Sequence, residues 1–274
     1  MKNNEMHILV TVDENYLKPL EVMLYSMYQH HQKHKVVVWL IHEKITEKQL
    51  APLRKLLGKF KWDLEAIKIE DDFFEGAPTV ERYPKEMYFR LLCGDILPKE
   101  LHRVLYLDPD ILVINSLLPL WQMDLEGSLL AAATHTGVTN ITTGLNNLRL
   151  NTDHNYYNSG VMLIDLDVAR DKINLKDIGE TIEKYASILL LPDQDVLNHL
   201  YGYYIKEIPD EIWNYDARKY ISYLTRSVGK YDLHWLMENT AILHFCGKPK
   251  PWQAKSDTKF TALYLDYARQ MDYL

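Results

Sequence analysis

The start of the chain alternates two hydrophobic periods, and that alternation limits it to a small set of architectures. Met6 to Val12 reads as a buried strand, Leu17 to Tyr28 as an amphipathic helix and Val36 to Ile41 as a strand. Thr46 to Leu57 then reads as a helix and Leu64 to Ile69 as a strand. A βαβαβ run predicts parallel strands joined by right-handed crossovers, with helices on both faces of an α/β sheet and ligands at the carboxyl ends of its strands. Further along, a helix is expected over Lys85 to Leu92 and strands over Val104 to Leu107 and Tyr157 to Asp165. Helices near Leu175 to Ser187 and Gln194 to Tyr201, strands near Ile205 to Ile208 and Ala241 to His244, and a last helix from Phe260 to Tyr273 complete the pattern. The polar stretch from Thr134 to Asn155 has no clear period and reads as a lid or acceptor wall, with a mobile insertion as the alternative.

A chain of 274 residues that is 47% hydrophobic can bury one large core, and no composition break divides it. The expectation is a single domain over 1–274 that ends in a helical segment over about 255–274. A net charge of -7 and a pI near 5.9 argue against binding nucleic acid or anionic lipid through a basic footprint. Cys93 and Cys246 fit neither a disulfide framework nor a zinc spacing and read as reduced thiols. No apolar signal region opens the chain, and no run is long enough to span a bilayer, which predicts a cytoplasmic protein. Phe260, Leu263, Tyr264, Tyr267 and Met271 recur at helical spacing, as a helix packed on the domain requires; peripheral contact with the inner face of the cell membrane is the alternative.

The chemistry concentrates at two strand ends. Arg103-Val-Leu-Tyr-Leu-Asp108-Pro-Asp110 is an apolar strand that runs into two carboxylates. In extended backbone, side chains at i and i+2 share a face, so the pair can hold a hard divalent cation that keeps positions open for phosphate oxygens. The same residues also suit an exposed Asp-Pro turn. At the end of the first strand stands Asp13-Glu-Asn15-Tyr16, which equally makes a cap for the helix that follows.

Six blocks occur in order along the chain: Val12-Asp13-Glu-Asn15-Tyr16, Met87-Tyr88-Phe-Arg90-Leu, Leu105-Tyr-Leu-Asp108-Pro-Asp110, Tyr157-Asn158-Ser-Gly160-Val, Pro192-Asp193-Gln194-Asp195-Val-Leu-Asn198 and His244-Phe-Cys-Gly247-Lys-Pro-Lys250-Pro-Trp252. In this order they resemble glycosyltransferase family 8, in particular its bacterial lipopolysaccharide galactosyl- and glucosyltransferases and, more distantly, glycogenin. The resemblance implies a GT-A fold, a Rossmann-like mixed sheet flanked by helices. It also implies retaining transfer of a hexose from UDP-glucose or UDP-galactose to a carbohydrate-bearing acceptor.

By the same resemblance, Asp108, Asp110 and His244 bind manganese, with magnesium as the alternative. Manganese accepts an imidazole beside carboxylates more readily than magnesium does. Asp13, Asn15 and Tyr16 are then the uridine site, the tyrosine offering a ring for the base. Gly247 and Lys250 are diphosphate contacts, and Arg90, Asn158, Asp193 and Gln194 hold the donor sugar. Considered singly, Arg90 could be a helix surface charge and Asp193 a helix cap, and His244 a satisfied strand-end histidine. Asp195 reads as a supporting or capping residue, and Trp252 as an anchor for its loop.

The position that a retaining glycosidase would fill with a carboxylate nucleophile is Gln194, and an amide is a poor nucleophile. A same-face transfer is therefore expected, in which Gln194 stabilises an oxocarbenium-like state, with Asp193 as the fallback nucleophile. One departure bears on the acceptor: Ala131-Ala-Ala-Thr134-His135 stands where relatives often carry an acid, so the acceptor does not carry over. Two other classes fit parts of the pattern. A phosphohydrolase can open on Asp-x-Asp, although here the pair comes late and is followed by Ile-Leu. A nucleotide-sugar or glycan binder with an inactive site is the other.

Overall fold

The computed structural model describes residues 5–70, 86–134, 149–150, 152–185, 187, 189–256 and 258–274. Of the polar stretch from Thr134 to Asn155, most lies outside those residues, as does the start of the helix expected from Lys85. The opening forms as the periods predict: β1 (Glu5–Thr11), α1 (Leu17–His31), β2 (Lys35–His42), α2 (Glu47–Phe60) and β3 (Asp63–Lys68). Thr46 caps α2 instead of beginning it. Its side chain accepts from the Gln49 backbone N–H while the Gln49 side chain accepts from the Thr46 backbone N–H.

β4 (Arg103–Leu107), β6 (Leu130–Thr134), β7 (Tyr157–Asp165) and β8 (Ile205–Ile208) complete a seven-stranded sheet in the order β3-β2-β1-β4-β7-β6-β8. The strands of the opening pair in parallel, as expected, and the sheet as a whole is mixed, because β7 runs antiparallel to both β4 and β6. That reversal brings the amino end of β7 to the carboxyl edge of β4, where the Asp108 N–H donates to the Gly160 carbonyl at 2.8 Å. The sheet is buried on both faces. Ile8 and Val10 enter one apolar cluster and Leu9 the other, and Leu105 and Tyr106 divide in the same way, as a period of two requires.

Beyond β7 come α3 (Leu166–Lys172), α4 (Leu175–Tyr185) and α5 (Pro192–Tyr201). A second, three-stranded sheet joins β5 (Ile111–Val113), β10 (Ile242–His244) and β9 (Tyr215–Asp216) in the order β5-β10-β9. Its antiparallel β5–β10 register pairs Ile111 with His244 and thereby sets the histidine beside Asp110. The last helix, α6 (Thr261–Asp272), packs on α1, with the Tyr25 and Tyr267 rings 6.3 Å apart and Lys18 bonded to Asp272 at 2.9 Å. Among the described residues, no helix is long and apolar enough to cross a membrane.

Candidate active site

Asp108 and Asp110 lie in the tight connection between β4 and β5, and His244 closes β10. One donor atom from each lies within 4.8 Å of the other two. His244 Nε2 is 3.2 Å from Asp110 Oδ1 and 3.8 Å from Asp108 Oδ2. The other Asp108 oxygen is held from behind: Oδ1 accepts from the Tyr106 hydroxyl at 2.6 Å and from Arg90 at 3.0 Å. Burial would raise the Asp110 pKa, but the His244 imidazole and the Lys250 ammonium outweigh it and keep the carboxyl below the usual carboxylate range. Burial works against a charged His244, yet the Cys246 sulfur and Asp110 together hold its pKa well above the ordinary imidazole value.

The group is shaped for an ion. Two carboxylates and an imidazole converge on one point, a donor set that suits a borderline or hard divalent metal. Gly160 in β7 leaves room beside it, because a Cβ there would stand 2.7 Å from Asp108 Oδ2 and would collide with the His244 ring. A glycine inside a strand marks such a close approach. Its position in the Tyr157 to Asp165 strand was the available signal for a role that sequence reasoning did not assign.

Arg90 is largely enclosed, its side chain 13% exposed, and is not a surface charge. It lies 4.7 Å from the Tyr106 ring centroid, and its guanidinium reaches Asp108 and, at 3.4 Å, Asp193. Desolvation would lower its pKa, but Asp108 leads the charges that raise it further, so it stays cationic. Asp193 does not cap α5; the N-cap is Leu191, which makes no side-chain cap bond. Asp193 Oδ2 instead accepts from Ser159 Oγ at 3.1 Å. Gln194 Oε1 accepts from Asn158 Nδ2 at 2.9 Å and from the Ser159 N–H at 3.3 Å. Asp195 takes the supporting place, bonded to both Arg149 nitrogens, to the Tyr156 hydroxyl and to the backbone N–H groups of Leu190 and Leu191.

Asp13 does cap: its Oδ1 accepts from the N–H groups of Asn15 and Tyr16, and its Oδ2 from Asn15 Nδ2. These residues stand at the carboxyl end of β1, on the same edge as Asp108. Tyr16 meets Trp252 edge to face at 5.8 Å, and Trp252 also packs on Tyr264, the anchoring role read for it. Lys250 is buried against Asp110 and donates to the Phe245 carbonyl at 2.9 Å, so it sits beside the Asp108, Asp110 and His244 group. Gly247 has φ +70, a conformation that L side chains rarely adopt, and a Cβ there would also meet Arg218.

One further residue joins the two halves of the site. Asn214, fully buried, accepts from His244 Nδ1 at 2.8 Å and donates to Asn158 Oδ1 at 2.8 Å. The sequence reading did not single it out. A polar residue within Ile212-Trp213-Asn214-Tyr215 was the only local sign.

The sequence profile of "Glycosyl transferase family 8" matches residues 7–256. The chain belongs to glycosyltransferase family 8. General stress protein A of Bacillus subtilis is 28% identical over 275 residues, covering 97% of this chain and 94% of that protein. A lipopolysaccharide 1,2-glucosyltransferase of Escherichia coli is 24% identical over 249 residues, covering 88% and 71%. The crystal structure of the galactosyltransferase LgtC in complex with donor and acceptor sugar analogues superposes with a TM-score of 0.79 at 23% identity, covering 97% of this chain and 96% of that one. The fold is therefore the GT-A arrangement that the six blocks implied, in one domain. The chain is a family 8 glycosyltransferase, and the phosphohydrolase alternative gives way to that match.

Proposed function

We propose that this family 8 enzyme moves glucose or galactose from its UDP-sugar to a carbohydrate-bearing acceptor, with retention of anomeric configuration and with manganese, or magnesium in its place. The observation that carries the reading is the convergence of Asp108, Asp110 and His244 at the strand edge that also carries Arg90, Asp193 and Gln194. The named functions of the E. coli glucosyltransferase and of LgtC support it. Asp108, Asp110 and His244 would hold the ion, which when bound supplies Lewis-acid neutralisation of the departing diphosphate. Lys250 adds a point charge for phosphate oxygens, with Gly247 allowing close backbone approach. Asp13 and Asn15 face the uracil edge or ribose, and Tyr16 stacks on the base. Arg90, Asn158 and Asp193 bind sugar hydroxyls. The reading places the work in the cytoplasm, on an acceptor free or presented at the inner face of the membrane.

In the transfer, the bond from the anomeric carbon to the diphosphate oxygen breaks while the acceptor oxygen bonds on the same face. The acceptor proton passes to the departing phosphate oxygen. The Gln194 carbonyl oxygen, the negative end of its amide dipole and held beside Asn158 and Ser159, steadies the positive charge that develops between these events. A panel of nucleotide sugars with manganese, read as UDP release, tests the reading. UDP-glucose or UDP-galactose should turn over slowly even without acceptor, and turnover of GDP- or CMP-sugars alone would refute the base site. Gln194→Ala should lower the rate by about 10²–10³ with configuration still retained. Capture of a covalent sugar on Asp193 in the unmodified enzyme would replace the same-face scheme by double displacement.

A further inference from the structure

His244 and Gln194 stand on different elements, one closing β10 of the small sheet and the other in the first turn of α5, yet an unbroken chain of amides joins them. The order of donors along that chain is not a matter of choice. Two backbone N–H groups anchor it, and a backbone N–H can only donate. The Gly160 N–H lies 2.9 Å from one atom of the Asn158 amide, which is therefore the oxygen. The Ser159 N–H lies 3.3 Å from one atom of the Gln194 amide, again the oxygen. Asn158 then has its nitrogen facing Gln194 Oε1, at 2.9 Å. The Asn214 atom that meets Asn158 Oδ1 at 2.8 Å must be a donor, its nitrogen. The Asn214 oxygen is left facing His244 Nδ1 at 2.8 Å, and it can only accept.

We propose that Asn214 is a positioning residue for the transfer, one buried amide that fixes which ring nitrogen of His244 serves the metal and, through Asn158, which way the Gln194 amide points. The inference rests on the metal reading above. Because Nδ1 keeps its proton on Asn214, Nε2 is the nitrogen that yields its proton to an ion on the side of Asp108 and Asp110. Partners of this kind on a ligand histidine set its orientation and basicity. At the other end, with Gln194 Oε1 occupied twice, its Nε2 is the end that turns away. A single residue thus sets the ligand that holds the leaving diphosphate and the amide beside the sugar.

Two substitutions separate the arms. Asn214→Asp can still accept from His244 Nδ1 but has nothing to donate to Asn158. Asn214→Leu, with the same branched skeleton but bulkier, does neither. Manganese affinity is read without substrate, from loss of the free-ion electron paramagnetic resonance signal as metal-free protein is added, and turnover is read at saturating metal. Asn214→Leu should weaken manganese binding by about 10–100-fold, the usual cost of removing such a partner. Asn214→Asp should keep the parent affinity while its kcat falls by about tenfold or more, at the lower end of that range. If Asn214→Leu binds manganese as the parent does, or if Asn214→Asp loses affinity and turnover together, the assignment is overturned. Should the leucine variant not fold, the split between affinity and kcat in the aspartate variant decides. A parent that binds no manganese overturns the metal reading along with it, whereas equal binding by parent and leucine variant overturns the positioning role alone.

Discussion

At the scale of single residues, the site depends on donor identity and on one missing methyl group. Asp108→Asn, Asp110→Asn and His244→Ala should each abolish manganese-stimulated turnover while circular dichroism and the melting profile stay near the parent's. Each removes a donor atom at the rim of the sheet and not an apolar core contact. Full activity in any of the three would take that residue out of the metal site. Gly160→Ala makes a sharper test, since it leaves every ligand in place. A Cβ there meets the His244 ring and Asp108 Oδ2, so metal affinity should fall by about 10–100-fold, the cost of displacing ligands from their set geometry. A manganese titration of the alanine variant that matches the parent would show that the ligands can yield. The donor residues were legible in sequence because strand ends, carboxylate spacing and block order converge on them. Asn214 was not, because its partners at 158 and 244 are far from it along the chain and its role exists only once β7, β9 and β10 have met.

At the scale of elements, α1 shows how a buried histidine ties secondary structure to pH. His31 ends the helix with Nδ1 donating to the Met27 carbonyl at 2.7 Å and Nε2 accepting from the Leu117 N–H at 3.0 Å. Acceptance at Nε2 requires the neutral ring, because protonation would turn that nitrogen into a donor facing the Leu117 N–H. Burial is the main cause that lowers its pKa from 6.5 to about 4. The folded value lies below the unfolded one, so the unfolded chain binds more protons between them. The contribution to stability is complete above the unfolded value and is lost as pH falls toward about 4; a shift of this size corresponds to on the order of 3 kcal/mol. His31→Leu should lower stability at pH 7 yet shrink the further loss between pH 7 and pH 5, measured by urea unfolding. An undiminished loss would assign the acid sensitivity to other groups; burial also lowers the pKa of His7, His30 and His42. The elements that the sequence left out have physical reasons as well. β6 is the run Leu130-Ala-Ala-Ala-Thr134, buried throughout but poor in strand-forming residues. β5 holds three residues and β9 two, too few to show a period.

At the scale of the whole molecule, Asp108, Asp110 and His244 meet where the seven-stranded sheet adjoins the three-stranded one. Metal that binds only the folded chain should therefore raise the melting temperature, with a gain of about 2.7 kcal/mol at a metal concentration a hundred times Kd. Calorimetry with and without manganese checks this, and no shift in the parent would disprove the coupling. The direction of β7 was beyond the reach of sequence periods, because alternation reports which face a strand buries and not which way it runs. The short pairing of β5 with β10 carries one more consequence, for how such a chain can change over generations. Ile111 opposes His244 and Val113 opposes Ile242, so a single residue gained or lost within either strand would turn Leu243 or Phe245 toward Asp110 and the imidazole away. Insertions and deletions are tolerable in the surface connections on either side of these strands. Within them, descent can proceed by replacement only.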